Sequence, residues 1–215
     1  MAVARYRVMS KTTSTAAPTA IAINCSLKAT GASSTDAMIG VLKEHFDKLG
    51  VTVSETIRIA AHDVKWGVES DMGDGDAWPA IRAKILAHDI LIFGTPIWMG
   101  QASSVAKLCL ERMDAFLSET DDKGRMPSYS KVVVAAIVGN EDGAHWATSQ
   151  LFQSLNDTGW TIPASAACYW VGEAMQHTDF QDLKKRPPKV DESAKMVAAN
   201  AVHLARLLGD APYPG

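Results

Sequence analysis

The chain has 215 residues, 47% hydrophobic and 21% charged, with a formal net charge of −3 and a mean hydropathy of −0.02. This balance carries no basic footprint for nucleic acid, and no apolar run approaches the ~20 residues of a membrane span. Three cysteines, Cys25, Cys109 and Cys168, stand far apart in apolar segments, which argues against a disulfide framework and for a reducing cytoplasm.

Residues 1–35 hold Arg5, Arg7, Lys11 and Lys28 but no Asp or Glu. An organellar transit peptide shares that composition, but no amphipathic helix is evident and Pro18 interrupts the segment. Residues 1–18 are therefore expected to form a flexible extension, and Met9 is an alternative start.

Residues 19–24 read as a buried first strand. They open into Cys25-Ser26-Leu27-Lys28-Ala29-Thr30-Gly31-Ala32-Ser33-Ser34-Thr35, small hydroxyl residues with one Gly and one Lys. From Asp36, Ile39, Leu42, Phe46 and Leu49 recur at helical spacing up to Gly50. Such a junction either caps its helix or binds an anion, because the first helical N–H groups lack partners and the dipole favours negative charge.

Residues 51–59 alternate as a second strand, and a loop with Asp71, Asp74 and Asp76 leads to a helix over 77–87. Calcium does not suit that loop, which lacks a closing bidentate Glu; Asp76 fits a helix cap. Residues 89–94 form the clearest buried strand. The loop Thr95-Pro96-Ile97-Trp98-Met99-Gly100 precedes a helix over 103–117. Residues 131–138 are a fourth strand, followed by the loop Gly139-Asn140-Glu141-Asp142-Gly143-Ala144-His145 and a helix to about Asp157. A fifth strand falls near 166–171, a linker at 184–188, a last helix over 191–208 and a loose tail beyond it.

Uniformly apolar strands alternating with helices predict an open, doubly wound parallel sheet of about five strands covered on both faces. Residues 19–209 would form a single domain, with 210–215 as its tail. Ligands of such sheets bind beyond the carboxyl ends of the strands, where the loops 26–35, 95–101 and 139–145 converge.

These three loops together resemble the flavodoxin-like NAD(P)H-dependent FMN reductase family. Cys25-Ser26-Leu27-Lys28 with Ser33-Ser34-Thr35 is similar to its phosphate loop, with Cys25 where many relatives have Gly and Leu27 where Pro is frequent. Gly94-Thr95-Pro96-Ile97-Trp98-Met99-Gly100-Gln101-Ala102-Ser103, continuing to Lys107, is similar to its segment around the isoalloxazine ring, with Trp98 for the usual Tyr. Residues 139–144 stand at its third flavin loop. The resemblance implies strand order 2-1-3-4-5, FMN as cofactor, and NADH or NADPH as transient hydride donor. It also implies a flavin, quinone or similar small-molecule acceptor and a homodimer or homotetramer.

By the resemblance, Ser26, Lys28, Ser33, Ser34 and Thr35 hold the phosphate. Pro96, Ile97, Trp98, Met99 and Gly100 wall the ring, and Asn140, Glu141, Asp142 and Gly143 reach its pyrimidine end. The cofactor carries the chemistry, so no catalytic acid–base residue and no metal ligand is assigned. His145 is either a proton donor or a structural residue at a helix start. Residues 168–175, with Tyr169 and Trp170, line either the substrate side or a subunit contact. The cysteines read as core thiols, and Ser26 lacks the Gly-x-Ser-x-Gly elbow of a hydrolase nucleophile. Rival readings are a quinone reductase on the same scaffold, a flavodoxin-type electron carrier, and a regulatory domain binding another anion.

Overall fold

The computed structural model describes residues 17–173 and 176–215. The expected extension up to residue 16, the alternative start at Met9 and the end of the aromatic segment at 174–175 lie outside the described residues. Five parallel strands, β1 (Ala20–Asn24), β2 (Val53–Arg58), β3 (Ile90–Trp98), β5 (Val132–Gly139) and β6 (Ala167–Val171), line up as β2-β1-β3-β5-β6. A two-residue β4 (Gln101–Ala102) pairs antiparallel with the end of β3. Setting β4 aside, this is the expected order 2-1-3-4-5.

The helices are α1 (Ser34–Lys48), α2 (Trp78–Leu86), α3 (Ser104–Met113), α4 (Ala144–Asp157) and α5 (Pro188–Asp210). Successive strand residues point to opposite faces, so each apolar strand feeds two cores. Ala20, Ala22, Ile90, Ile92, Val132 and Val134 pack under Leu42 and Phe46 of α1 and Val197 and Ala201 of α5. Their neighbours Ile21, Ile23, Leu91, Phe93, Val133 and Ala135 pack on the other face with Trp78 and Ile81 of α2, Leu108 of α3 and Leu151 of α4. Burial on both faces explains why these strands read as continuous apolar runs.

Several boundaries differ from the sequence expectation, each for a local reason. The third strand does not end at Gly94 but runs to Trp98. β1 stops opposite Gly94, while β5 continues through the register pair Pro96↔Val138. Beyond Gly94 one side of β3 is therefore an edge, where a missing proline N–H costs no ladder bond. The chain then reverses through Met99 (φ 53) and Gly100 (φ 74), two consecutive left-handed residues of the kind that close a two-residue hairpin.

The first helix begins at Ser34 rather than Asp36, because the Ser33 side chain accepts from the Asp36 amide at 3.3 Å. The third helix is α-helical only to Met113 and continues as a 3-10 turn over Asp114–Leu117. The last helix starts at Pro188, where a proline suits the first turn, and reaches Asp210. The tail beyond it docks through Tyr213, whose amide donates to Ser130 Oγ at 2.8 Å and whose ring meets Tyr129 edge-on.

Candidate functional site

At the carboxyl edge of the sheet, Asn24 organises the first loop. It is fully buried at the end of β1. Its Oδ1 accepts from the Ser26 amide at 2.8 Å, and its Nδ2 donates to Ser33 Oγ at 3.3 Å and to Asp36 Oδ1. One side chain therefore ties both ends of the loop together. Arg58 of β2 closes the outside, bonding the Gly31 carbonyl at 2.8 Å and pairing with Asp36.

What this loop leaves open is as informative as what it closes. Ser34 and Thr35 are the first two residues of α1, and their amides donate no hydrogen bond to the described residues. Beside them Ser26 is only 8% exposed, and its Oγ is buried without a partner. A buried hydroxyl without a partner next to a free helix N-terminus costs free energy unless a ligand acceptor meets it.

The second and third loops are clasped to each other. The Met99 amide donates to Glu141 Oε1 at 3.0 Å. Gly143, at φ +123, lies so close to the turn that a Cβ there would sit 2.4 Å from the Gly100 carbonyl oxygen. Ser103 joins the second loop to the first: it caps α3 through the Ala106 amide and donates to the Cys25 carbonyl at 2.6 Å.

A cavity of about 560 Å³ lies among these loops. Of the sequence-predicted residues, Ser26, Lys28, Ser33, Ser34, Thr35, Pro96, Ile97, Trp98, Asn140 and Glu141 line it. Met99, Gly100, Asp142 and Gly143 are not among its lining residues. Met99 is 87% exposed at the hairpin tip. Asp142 bonds the neighbouring Gly143 amide, and the two glycines form the clasp. These four shape the wall from behind.

His145 is likewise turned elsewhere, with Nε2 3.1 Å from the Tyr169 hydroxyl and the two rings edge-to-face. That is the structural alternative of the two. The thiols are buried. Burial and the neighbouring Cys109 push the Cys25 thiol up, and burial raises Cys168 to about 11. Neither is poised as a nucleophile.

Sequence reasoning missed a fourth wall. His177, Asp179, Phe180 and Gln181, between β6 and α5, also line the cavity. Phe180 is buried against Trp170, the ring centroids 5.5 Å apart. Asp179 accepts from Asn140 Nδ2 at 3.0 Å, and the Gln181 amide donates to Ser34 Oγ at 3.3 Å. Arg186 fixes the far end to Glu44 and Asp191. The only sequence signal was an isolated aromatic in a polar stretch, too little to place a strap across two distant loops. In the aromatic segment of β6, Trp170 packs against Phe180 of the strap and Tyr169 is partly exposed.

The family model for NADPH-dependent FMN reductase matches residues 18–176. The chain is 31% identical over 191 residues to the 8-demethyl-8-aminoriboflavin-5′-phosphate synthase of Streptomyces davaonensis, covering 84% of this chain and 74% of the relative. It is 34% identical over 201 residues to a protein of Mycobacterium bovis named divalent metal cation transporter MntH, covering 88% of this chain but only 29% of that one. The structure of RosB with bound 8-demethyl-8-formylriboflavin-5′-phosphate superposes with a TM-score of 0.82 at 29% identity, covering 93% of this chain and 83% of that one. With its flavodoxin-like sheet and this match over most of its length, the chain belongs to the NADPH-dependent FMN reductase family, the FMN- and NAD(P)H-dependent oxidoreductases.

Proposed function

We propose that FMN occupies this cavity with its phosphate on the first loop, and that hydride passes from NADH or NADPH to a flavin, quinone or similar acceptor. The observation that carries the placement is the orphaned Ser26 Oγ beside the open N-terminus of α1. Ser26, Ser33, Ser34 and Thr35 supply hydroxyls, the first amides of α1 supply N–H donors, and Lys28 adds charge; such charge-assisted bonds are the strong ones. Bound flavin supplies the hydride-accepting ring.

Pro96, Ile97 and Trp98 offer that ring an apolar wall. Asn140 and Glu141 stand at the other end of the cavity, and Met99, Gly100, Asp142 and Gly143 hold these walls at a fixed spacing. The protein's share of the chemistry is orientation: nucleotide and acceptor use the same open face in turn, and no side chain has to move a proton. The test is a visible absorption spectrum of the purified protein and its bleaching by NADH or NADPH, followed by recovery with a quinone or free FMN. A colourless protein that does not take up FMN overturns the placement. Bleaching without turnover of any acceptor favours the electron-carrier alternative.

A second reading follows from the synthase similarity, since that relative's name makes a flavin phosphate the molecule acted upon. On that reading FMN is substrate rather than resident cofactor, and the mass of the flavin recovered after incubation separates the two. Among the described residues no three His, Cys, Asp or Glu side chains form a cation-binding group. No helix among them is long and apolar enough to cross a membrane.

Trp98, Met99, Trp146 and Tyr169 are partly or largely exposed around the loops of the cavity, and we propose that they pair two or four copies of the chain. Light scattering on the wild type and on Met99→Asp tests this. Three unpaired buried thiols support a reducing cytoplasm.

A further inference from the structure

The strap over residues 176–187 begins where the family match ends at residue 176, yet three of its side chains and Gln181 wall the cavity together with family loops. It therefore adds to the cavity a wall that lies outside the three loops of the family match. Four contacts hold it in place: Phe180 in the core, Gln181 on Ser34, Asp179 on Asn140, and Arg186 on Glu44 and Asp191.

Asp179 is the charged member of this wall. Its Oδ1 is occupied by Asn140, while its Oδ2 takes no hydrogen bond from the described residues. Asn140 therefore donates its Nδ2 to Asp179, a residue of the cavity lining, and leaves the second carboxylate oxygen open to a further donor. The strap is tied at Gln181 to the helix N-terminus that receives the phosphate and at Asp179 to the third loop at the ring end. Asp179 lines the cavity two residues from Gln181, the residue tied to the N-terminus of α1, and is itself bonded to the third loop. A carboxylate is acceptor-only and repels a phosphate, so the group it suits there is an uncharged donor of hydrogen bonds.

We propose that Asp179 is a specificity-determining residue that accepts hydrogen bonds from the hydroxyls of the ligand's polyol chain, with Asn140 as its positioning residue. The inference rests on FMN lying in the cavity as proposed above. It makes the strap a reader of the link between phosphate and ring, a part of the ligand that the three family loops do not need to contact with a charge.

The test is a cycle of two proteins and two ligands, followed by quenching of flavin fluorescence in the full chain. The ligands are FMN and an analogue whose ring nitrogen carries a 5-phosphopentyl chain, so that phosphate and ring remain but the hydroxyls are gone. Asp179→Ala should bind FMN about 10- to 100-fold more weakly than wild type, the range of a hydrogen bond to a charged group. It should bind the phosphopentyl analogue as wild type does. Asn140→Ala should give a smaller loss with the same ligand dependence. Equal losses for both ligands would mean that Asp179 only holds the strap in place, and no loss for either would mean it faces no ligand; both overturn the proposal. Failure of the wild type to bind either ligand would instead overturn the placement of FMN, a result separable from the others.

Discussion

Two loops at the same edge of the sheet carry similar inventories of polar residues and have opposite fates. The segment between β2 and α2 holds Asp71, Asp74 and Asp76, and all three carboxylates or their backbones are used internally. Asp71 bonds the Gly73 amide at 2.8 Å, and the Asp74 carbonyl accepts from Lys65. Asp76 is the centre of the knot, for its carboxylate takes the amides of Lys65, Met72 and Trp78. It also forms a 2.7 Å ion pair with Arg112 in which both side chains are 0% exposed. The remaining donors of Arg112 reach the carbonyls of Glu69 and Lys65 at 2.9 and 2.8 Å. The loop after β1 has the same density of polar groups but leaves Ser26 Oγ and the first amides of α1 unpaired. The Asp76 carboxylate is fully engaged, although the neighbouring Trp78 Nε1 is itself buried without a partner among the described residues; the first loop differs in leaving a hydroxyl and helix amides open together on the lining of a cavity.

The largest expected effect breaks the satisfied side. Arg112→Ala strands a buried carboxylate and should lower the unfolding free energy by about 3–5 kcal/mol, read from the shift of the urea midpoint. Acid probes the same pair. Burial pushes the Asp76 carboxyl up, but the Arg112 guanidinium and the three amides outweigh it and hold the carboxyl well below the usual carboxylate range. A depressed carboxylate contributes stability that is present above its unfolded-state pKa and is lost as pH falls toward the folded value. Stability should therefore fall from about pH 5 downward, and Asp76→Asn should be weaker at pH 7 with a flatter acid limb; an unchanged limb would argue against this pair as the source.

Ser26→Ala tests the other side. Removing an unpartnered hydroxyl should change stability by no more than about 0.5 kcal/mol, yet cost about 1.5–3 kcal/mol of FMN binding as a lost charged hydrogen bond. If stability moves and affinity does not, the contrast between the two loops fails. Gly143→Ala lies between these cases: strained backbone and the contact with Gly100 should cost about 1–3 kcal/mol in stability, with a change in flavin fluorescence as the second loop shifts. Ser33→Ala should cost folding about 1 kcal/mol for a lost N-cap, more than Ser26→Ala and less than Arg112→Ala, measurable as a small drop in thermal midpoint.

The sequence by itself determined the layers and the segments of three of the four cavity walls, and the family resemblance implied the strand order. Apolar strands such as 90–94 and 132–138 are buried on both faces, so local hydrophobicity reports them directly, and the phosphate loop is contiguous in the chain. The end of β3 was hidden by Pro96, whose tolerance depends on β1 stopping one strand away. The roles of Met99, Gly100, Asp142 and Gly143 were hidden because a clasp between two loops is a distance and not a pattern.

Only the tertiary structure decided that 176–187 crosses the cavity, that Asn140 serves Asp179, and that Asp76 spends its charge on Arg112. Each of these depends on residues from different elements, 36 or more positions apart in the examples of Asp76 with Arg112 and Asn140 with Asp179. Periodicity and capping describe neighbours along a helix or strand. Whether a polar group ends up paired or free is settled by what the fold brings opposite it, as the engaged carboxylate of Asp76 and the open hydroxyl of Ser26 show among the described residues.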